Sequence, residues 1–262
     1  MGSQQTTPIN WYDQPIYYDI IFAPDTVREC DFIAAAWQKF GAGRLRRILE
    51  PACGSGRLVA ELASRGHQVT GFDRNLHMLD FARDRLRQLG RRASLHQGEL
   101  AAFDVGQNFD LAHCFVSTFK YLLTEADATS HLAHVAAALR PGGLYLLGFH
   151  LSDYAHPAGS RERWFGRRGD IDVACTIESR APQRRQRLEA VRSRLLVRHG
   201  RRQQRLATDW QFRTYSVGQV RRLLRQVPSL SHLATFDFDY QIEQPQPFDG
   251  ERLDCVLVLR QS

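Results

Sequence analysis

Glu50 and Asp73 end two short apolar runs, and the turn Cys53-Gly54-Ser55-Gly56 lies between them. Glycines in such a turn let a ligand approach the backbone closely, because no Cβ stands in the way and positive φ is cheap. The helix that follows offers unpaired N–H groups at its N-terminus to an anionic part of the ligand. A carboxylate at the end of the next strand, Asp73, can take both hydroxyls of a ribose. Together these parts describe a nucleoside pocket. The turn fits the dinucleotide fingerprint loosely, since Val59 stands where Gly or Ala is required. Glu50 discriminates. An acid at the strand end before the loop would repel a pyrophosphate and suits a ligand carrying an ammonium and a sulfonium.

The elements that must position these residues follow from the apolar spacing. Ile48 and Leu49 close a strand that Pro51 and the glycines stop. Leu58, Val59, Leu62 and Ala63 recur at helical spacing up to Gly66. His67 to Phe72 is the second strand. Asn75 caps a helix to about Leu89, carried by Leu76, Leu79, Phe81 (or Ala82) and Leu86. Ala93 to His96 gives a third strand, Phe109 to Phe115 a fourth, and Leu144 to Phe149 a fifth, after a helix from Glu125 to Leu139 and the turn Pro141–Gly143. Ser216 caps a helix from Val217 to Gln226, and strands run from Leu230 to Tyr240 and from Leu253 to Leu259. Upstream, residues 1–10 read as unstructured. Thr26 and Glu29 then form a capping box for a helix with Cys30, Ile33, Ala34, Trp37 and Phe40 on one face.

The segment E-P-A-C-G-S-G-R, Glu50 to Arg57, followed by G-F-D, Gly71 to Asp73, resembles motif I and the next acidic motif of class I S-adenosylmethionine-dependent methyltransferases. The likeness runs from Tyr17 to the C-terminus and includes L-R-P-G-G at Leu139–Gly143. It implies a Rossmann-like doubly wound α/β fold: a seven-stranded sheet with an antiparallel last strand, an N-terminal helical cap and an antiparallel β insertion after the fifth strand. The division it implies is a cap over residues 1–40, an S-adenosylmethionine-binding core over 41–150, a lid or insertion over 151–215, and the C-terminal part of the core sheet over 216–262. The cofactor would be S-adenosyl-L-methionine, with S-adenosyl-L-homocysteine as product. The residues implied to hold it are Tyr18, Glu50, Ala52, Cys53, Gly54, Ser55, Gly56, Asp73, Arg74, Met78, Glu99, Leu100, Cys114 and Ser117. Glu99 replaces the commoner Asp at the adenine position.

Enzymes of this class that methylate exocyclic amines of bases carry Asn or Asp, Pro-Pro and an aromatic after the fourth strand. Here the stretch is H-C-F-V-S-T-F-K-Y-L, His113 to Leu122, which resembles the small-molecule branch. A small-molecule acceptor is therefore expected, methylated on nitrogen or oxygen by in-line displacement. Phe119, Trp164, Arg213 and Tyr215 are candidates for its pocket. His150, with His113 as the other topologically placed imidazole, is the candidate base. The other readings are an RNA or protein methyltransferase using an Arg-rich insertion, and a cofactor-binding subunit without its own activity.

Composition limits these readings. The 262 residues allow one α/β domain with an insertion, and no apolar run approaches the roughly 18 residues that span a bilayer. The five cysteines, Cys30, Cys53, Cys114, Cys175 and Cys255, are scattered, which argues against a disulfide framework or a zinc site and for a reducing, cytoplasmic setting, and no metal is expected. The net charge of +7 is uneven: residues 160–225 hold 18 Arg against 6 acids. A solvated face or attraction of an anionic substrate explains this better than nucleic acid. Alternation at Ile171, Val173, Cys175 and Ile177, at Arg187–Arg198, and at Leu206, Thr208, Trp210, Phe212 and Thr214 gives three strands of an antiparallel meander, serving as a lid, a basic docking surface or a homodimer sheet.

Overall fold

The computed structural model describes residues 6–262, and the plain polar start read at Met1–Gln5 lies outside the described residues. In chain order the elements are β1 (Thr7–Pro8), α1 (Pro15–Phe22), α2 (Thr26–Phe40), β2 (Arg47–Pro51), α3 (Arg57–Ser64), β3 (Gln68–Asp73), α4 (Leu76–Gln88), β4 (Ser94–Gln97) and β5 (Phe109–Cys114). After these come α5 (Glu125–Ala138), β6 (Leu139–His150), β7 (Arg161–Arg168), β8 (Ile171–Ser179), β9 (Leu188–His199), β10 (Arg202–Arg213), α6 (Val217–Arg225), β11 (Leu230–Phe236) and β12 (Asp254–Gln261).

The main sheet has the order β11-β12-β6-β5-β2-β3-β4. β2 pairs in parallel with β3 and β5, and β12 runs antiparallel to both β6 and β11. This is the doubly wound architecture expected from the sequence. β5 is buried at every position, as a strand covered on both faces must be. Leu132 and Val135 of α5 pack with Leu223 of α6 on one face, and Ile33, Trp37, Leu58 and Leu62 of α2 and α3 pack on the other. After β4, at one edge, the chain crosses back to β5 on the far side of β2. The crevice outside the carboxyl ends of β2 and β5 is thus the topological switch point, where open sheets accept ligands.

A second sheet, β1-β10-β9-β8-β7, stands over that edge. Its inner face buries Val173, Cys175, Leu195, Val197 and Leu206 against Trp11, Ile20 and Ile21, so α1 lies between this sheet and the core. Its outer face carries exposed Arg163, Arg192, Arg194 and Arg198, and Arg192 pairs with Asp209 across the strands at 2.6 Å. The arginine excess therefore spreads over a solvated sheet face.

Three expectations need correction. The insertion has four strands; β7 escaped the alternation pattern because its sequence, RERWFGRR, is exposed on both sides at most positions. Within the stretch read as unstructured, Thr7 and Pro8 pair in parallel with Leu206 and Ala207. Thr26 and Glu29 form no capping box. A 3-10 turn, Ala23–Asp25, leads directly into α2, and Glu29 is drawn inward by Arg57 at 2.6 Å. No helix among the described residues is long and apolar enough to cross a membrane.

The two sheets are held apart by α1 at a contact that requires glycine. A Cβ on Gly166 of β7 would lie 2.5 Å from the carbonyl oxygen of Ile20. We predict that Gly166→Ala pushes the second sheet off α1 and costs about 1–3 kcal/mol, read as a lowered urea midpoint with an unchanged slope.

Candidate active site

The loop between β2 and α3 turns sharply. Ala52, Gly54 and Gly56 have φ of 53°, 52° and 67°. The turn closes with Cys53 N–H donating to Phe72 O (2.9 Å) and Gly56 N–H to Cys53 O (2.9 Å). At Gly54 the positive φ serves an open approach. The nearest heavy atom to a Cβ there would be a ring carbon of Tyr18, at 3.9 Å. Gly54 N–H donates to Asp73 Oδ2 at 2.9 Å and Asn75 N–H to Asp73 Oδ1 at 2.8 Å. The carboxylate at the end of β3 is thereby fixed in place, with about half of its acceptor positions left for a ligand.

Glu50 ends β2 beneath this loop. It is 7% exposed, and its Oε2 has no hydrogen-bond partner among the described residues. Burial, with Glu29 and Asp73 adding to it and Arg57 opposing, pushes its carboxyl up to about 8. The nearest ring, His113, has its Nε2 3.9 Å away, beyond hydrogen-bond reach. His113 itself is wholly buried, neither ring nitrogen is bonded among the described residues, and burial holds it down to about 3. It is a neutral core histidine, so the sequence-based candidacy of His113 as a base falls.

The cap closes this region through Asp19, which is wholly buried. Its Oδ1 accepts from Ser55 Oγ of the glycine loop at 2.7 Å, and its Oδ2 accepts from Arg168 of β7 at 2.5 Å and from Arg85 of α4. Burial alone would raise its carboxyl, but the bonds from Arg85, Ser55 and Arg168 hold it below the usual range. Ahead of α1, Tyr12 shares a 2.5 Å hydrogen bond with Tyr121, and Trp11 stacks on Trp210 of β10 with centroids 5.6 Å apart. Asp13 accepts from Asn75 Nδ2 at 2.7 Å, tying the same segment to the loop after Asp73.

The strand-end loop after β5 is strained. Val116 and Ser117 have φ of 55° and 63°, a region that a β-branched residue rarely enters. Ser117 Oγ accepts the backbone N–H of His150 at 3.2 Å, and His150 Nδ1 meets Asp254 Oδ1 at 2.5 Å.

Tyr18, Glu50, Ala52 to Gly56 and Asp73 thus converge on one loop. Arg74 and Glu99 lie exposed at its rim, 4.0 Å apart, and Leu100 is fixed by its carbonyl accepting from His131 Nδ1 at 2.8 Å. Several other predicted positions do not face the crevice. Met78 and Cys114 are buried among core residues, at 0% and 2% exposure. Phe119 and Tyr215 are buried against each other and Phe149, so neither lines an acceptor pocket. Arg213 is tied to Leu123 O at 2.6 Å and Glu125 Oε2 at 2.8 Å, anchoring the base of the insertion. Trp164 packs toward Phe22 of the cap. Sequence reading missed Asp19, Arg57, Tyr12, Tyr121 and Asp254. An acid amid the apolar PIYYDIIF was the available signal for the first.

The family described as "Methyltransferase domain" matches residues 48–143. A putative methyltransferase of Bacillus subtilis (strain 168) is 35% identical over 108 residues, 40% of this chain and 43% of that protein. A dTDP-3-amino-3,6-dideoxy-alpha-D-glucopyranose N,N-dimethyltransferase of Streptomyces fradiae is 28% identical over half of each chain. The chain spans about half the length of the curated relatives it matches. Among solved structures, an S-adenosylmethionine-dependent methyltransferase from Clostridium acetobutylicum aligns with a TM-score of 0.78 at 18% identity, covering 97% of this chain and all of that one. An amino pentose methyltransferase from Micromonospora echinaspora aligns at 0.71 and 19%, covering 99% and 100%. At that identity these likenesses establish the fold.

Glu50 makes stability depend on pH in a defined direction. The folded protein keeps a proton on this carboxyl up to about pH 8, whereas its ordinary value is 4.5. Between those values the folded state binds more protons than the unfolded chain, so the group's contribution falls as pH rises. We predict that Glu50→Gln is more stable than wild type at pH 8 and not at pH 5, in urea unfolding without ligand.

Proposed function

We propose that this chain, whose residues 48–143 match the methyltransferase domain family, transfers a methyl group from S-adenosyl-L-methionine to nitrogen of a small-molecule amine. The observation that carries the reading is the buried, unpartnered oxygen of Glu50 beside the glycine loop. A cation placed there satisfies an oxygen that no described residue satisfies. The amino group of the donor is such a cation, and its presence favours the ionised carboxylate over the neutral one.

The other residues divide the donor between them. The first turn of α3 faces its carboxylate, and Asp73 accepts from its ribose hydroxyls. Glu99 and the backbone N–H of Leu100 suit the adenine edge. Tyr18 covers the loop from the cap side. The donor, when bound, supplies a methyl carbon activated by positive sulfur and leaves as S-adenosyl-L-homocysteine. The protein's contribution is to align nucleophile, methyl and sulfur, an ordering worth about 7–11 kcal/mol of barrier.

Support for a small-molecule amine comes from the whole-chain likeness to an amino pentose methyltransferase and from the amino-sugar N,N-dimethyltransferase among the relatives. On the outer face of the second sheet, Arg167, Arg192 and Arg194 are paired with Asp172, Asp209 and Glu178.

We predict that Asp73→Ala weakens donor binding tenfold or more, about 1.5–3 kcal/mol for a charged hydrogen bond, in calorimetric titration of a folded variant. Wild type, incubated with methyl-labelled donor and a metabolite extract, should place label in amines of low mass. Label in macromolecules alone, or unchanged donor affinity in the variant, would reject the assignment.

A further inference from the structure

Four observations bear on the group that receives the acceptor's proton. First, β12 runs antiparallel to β6 with Asp254 directly opposite His150, so the first residue of one strand meets the last of the other at the carboxyl edge of the sheet. Second, Asp254 Oδ1 lies 2.5 Å from His150 Nδ1, and this bond holds the Asp254 carboxyl below its usual range. Third, both side chains are open to solvent, at 39% and 49%, unlike the sealed His113 and His131. Fourth, the backbone of His150 is bonded to Ser117, in the strained loop beside the switch point.

The geometry points to Asp254 as a positioning residue that holds His150 with its proton on Nδ1, leaving the Nε2 lone pair as the base for the acceptor amine. A carboxylate can only accept, so the atom facing it must be Nδ1–H, and in the neutral ring Nε2 is then bare. The inference rests on the methyl-transfer reading and deepens it. An amine arrives at neutral pH as an ammonium, whose nitrogen has no lone pair to give. His150 Nε2 takes one proton from it. The freed nitrogen bonds to the methyl carbon as the carbon–sulfur bond breaks, and that electron pair stays on sulfur. The other groups around the ring do not compete for Nδ1. Phe238 meets it edge-on with centroids 4.9 Å apart, Ser117 uses its hydroxyl on the backbone, and neighbouring Asp237 is engaged by Arg252 at 3.3 Å.

The test uses the full chain with labelled donor and metabolite extract, and compares wild type with Asp254→Asn and His150→Gln. The side-chain amide that Asp254→Asn introduces can donate to Nδ1 and so favours the opposite tautomer. We expect a fall of about a hundredfold in transfer at saturating donor for each variant, little further loss in the double variant, and donor affinity unchanged. Nitrogen NMR of labelled histidine should show His150 bare at Nε2 in wild type and altered in Asp254→Asn, a readout independent of any acceptor. Transfer by Asp254→Asn at the wild-type rate, a wild-type ring protonated at Nε2, or donor affinity falling in parallel with transfer would overturn the inference. Wild type that binds donor yet labels no small molecule would instead reject the parent reading, and this one with it.

Discussion

A carboxyl group is buried at the end of β2 with one oxygen facing no donor among the described residues, and the rest of the site answers to that constraint. An unsatisfied buried polar group costs about 1–3 kcal/mol, and more if charged. The protein does not repair this locally. Arg57, the nearest guanidinium, is engaged by Glu29 at 2.6 Å, and His113 stands too far away and is neutral. A well-packed apolar residue at position 50 would stabilise the free protein more. On the proposed reading, a cation arriving from outside supplies the partner that this oxygen lacks.

The second consequence is mechanical. A site that ends in a buried acid works best when water is excluded, and Asp19 joins the elements that exclude it: α1, the glycine loop, α4 and β7. A buried carboxylate with no partners would be costly, but here a hydroxyl and two guanidiniums satisfy it. The N-terminal segment reaches further, pairing with β10 through β1 and with the loop after Asp73 through Asp13. Cap and second sheet are therefore a single cover. α1 is thereby coupled to both the glycine loop and β7, because Arg168 binds the same carboxylate as Ser55.

The core was legible because its signals are local. A parallel strand buried on both faces shows as an apolar run, and a turn needing positive φ shows as glycine, so the frame from Ile48 to Asp73 could be read directly. Asn75 and Ser216 act as caps, as their residue types suggest. Errors arose where a residue's role depends on a distant partner. Glu29 fits the spacing of a capping box, yet the guanidinium of Arg57 on another helix out-competes the backbone amide. Phe119 and Tyr215 have the chemistry of pocket residues, but they meet across the core. Arg161 to Arg168 carries too much charge to show alternation, and pairing with β8 alone makes it a strand. Val116 and Ser117 gave no sign of left-handed backbone, since neither residue type favours it.

The antiparallel last strand is the feature that brings a C-terminal residue to the carboxyl edge of the sheet. In a fully parallel sheet, the residues at the carboxyl edge would all come from strand ends, and the start of a strand would face the opposite edge. Inserting β12 in reverse brings its first residue, Asp254, to the edge where β2, β3, β5 and β6 finish. The backbone carbonyl of Asp254 is held by Gln246 at 2.7 Å, and Gln246 N–H is in turn fixed on Thr235 O at 2.8 Å. The hairpin thus sets the position of the carboxylate independently of the cap and second sheet. The two proposed roles therefore rest on different parts of the chain: the donor site on the turn after β2, the proton-accepting pair on the register of β6 on β12.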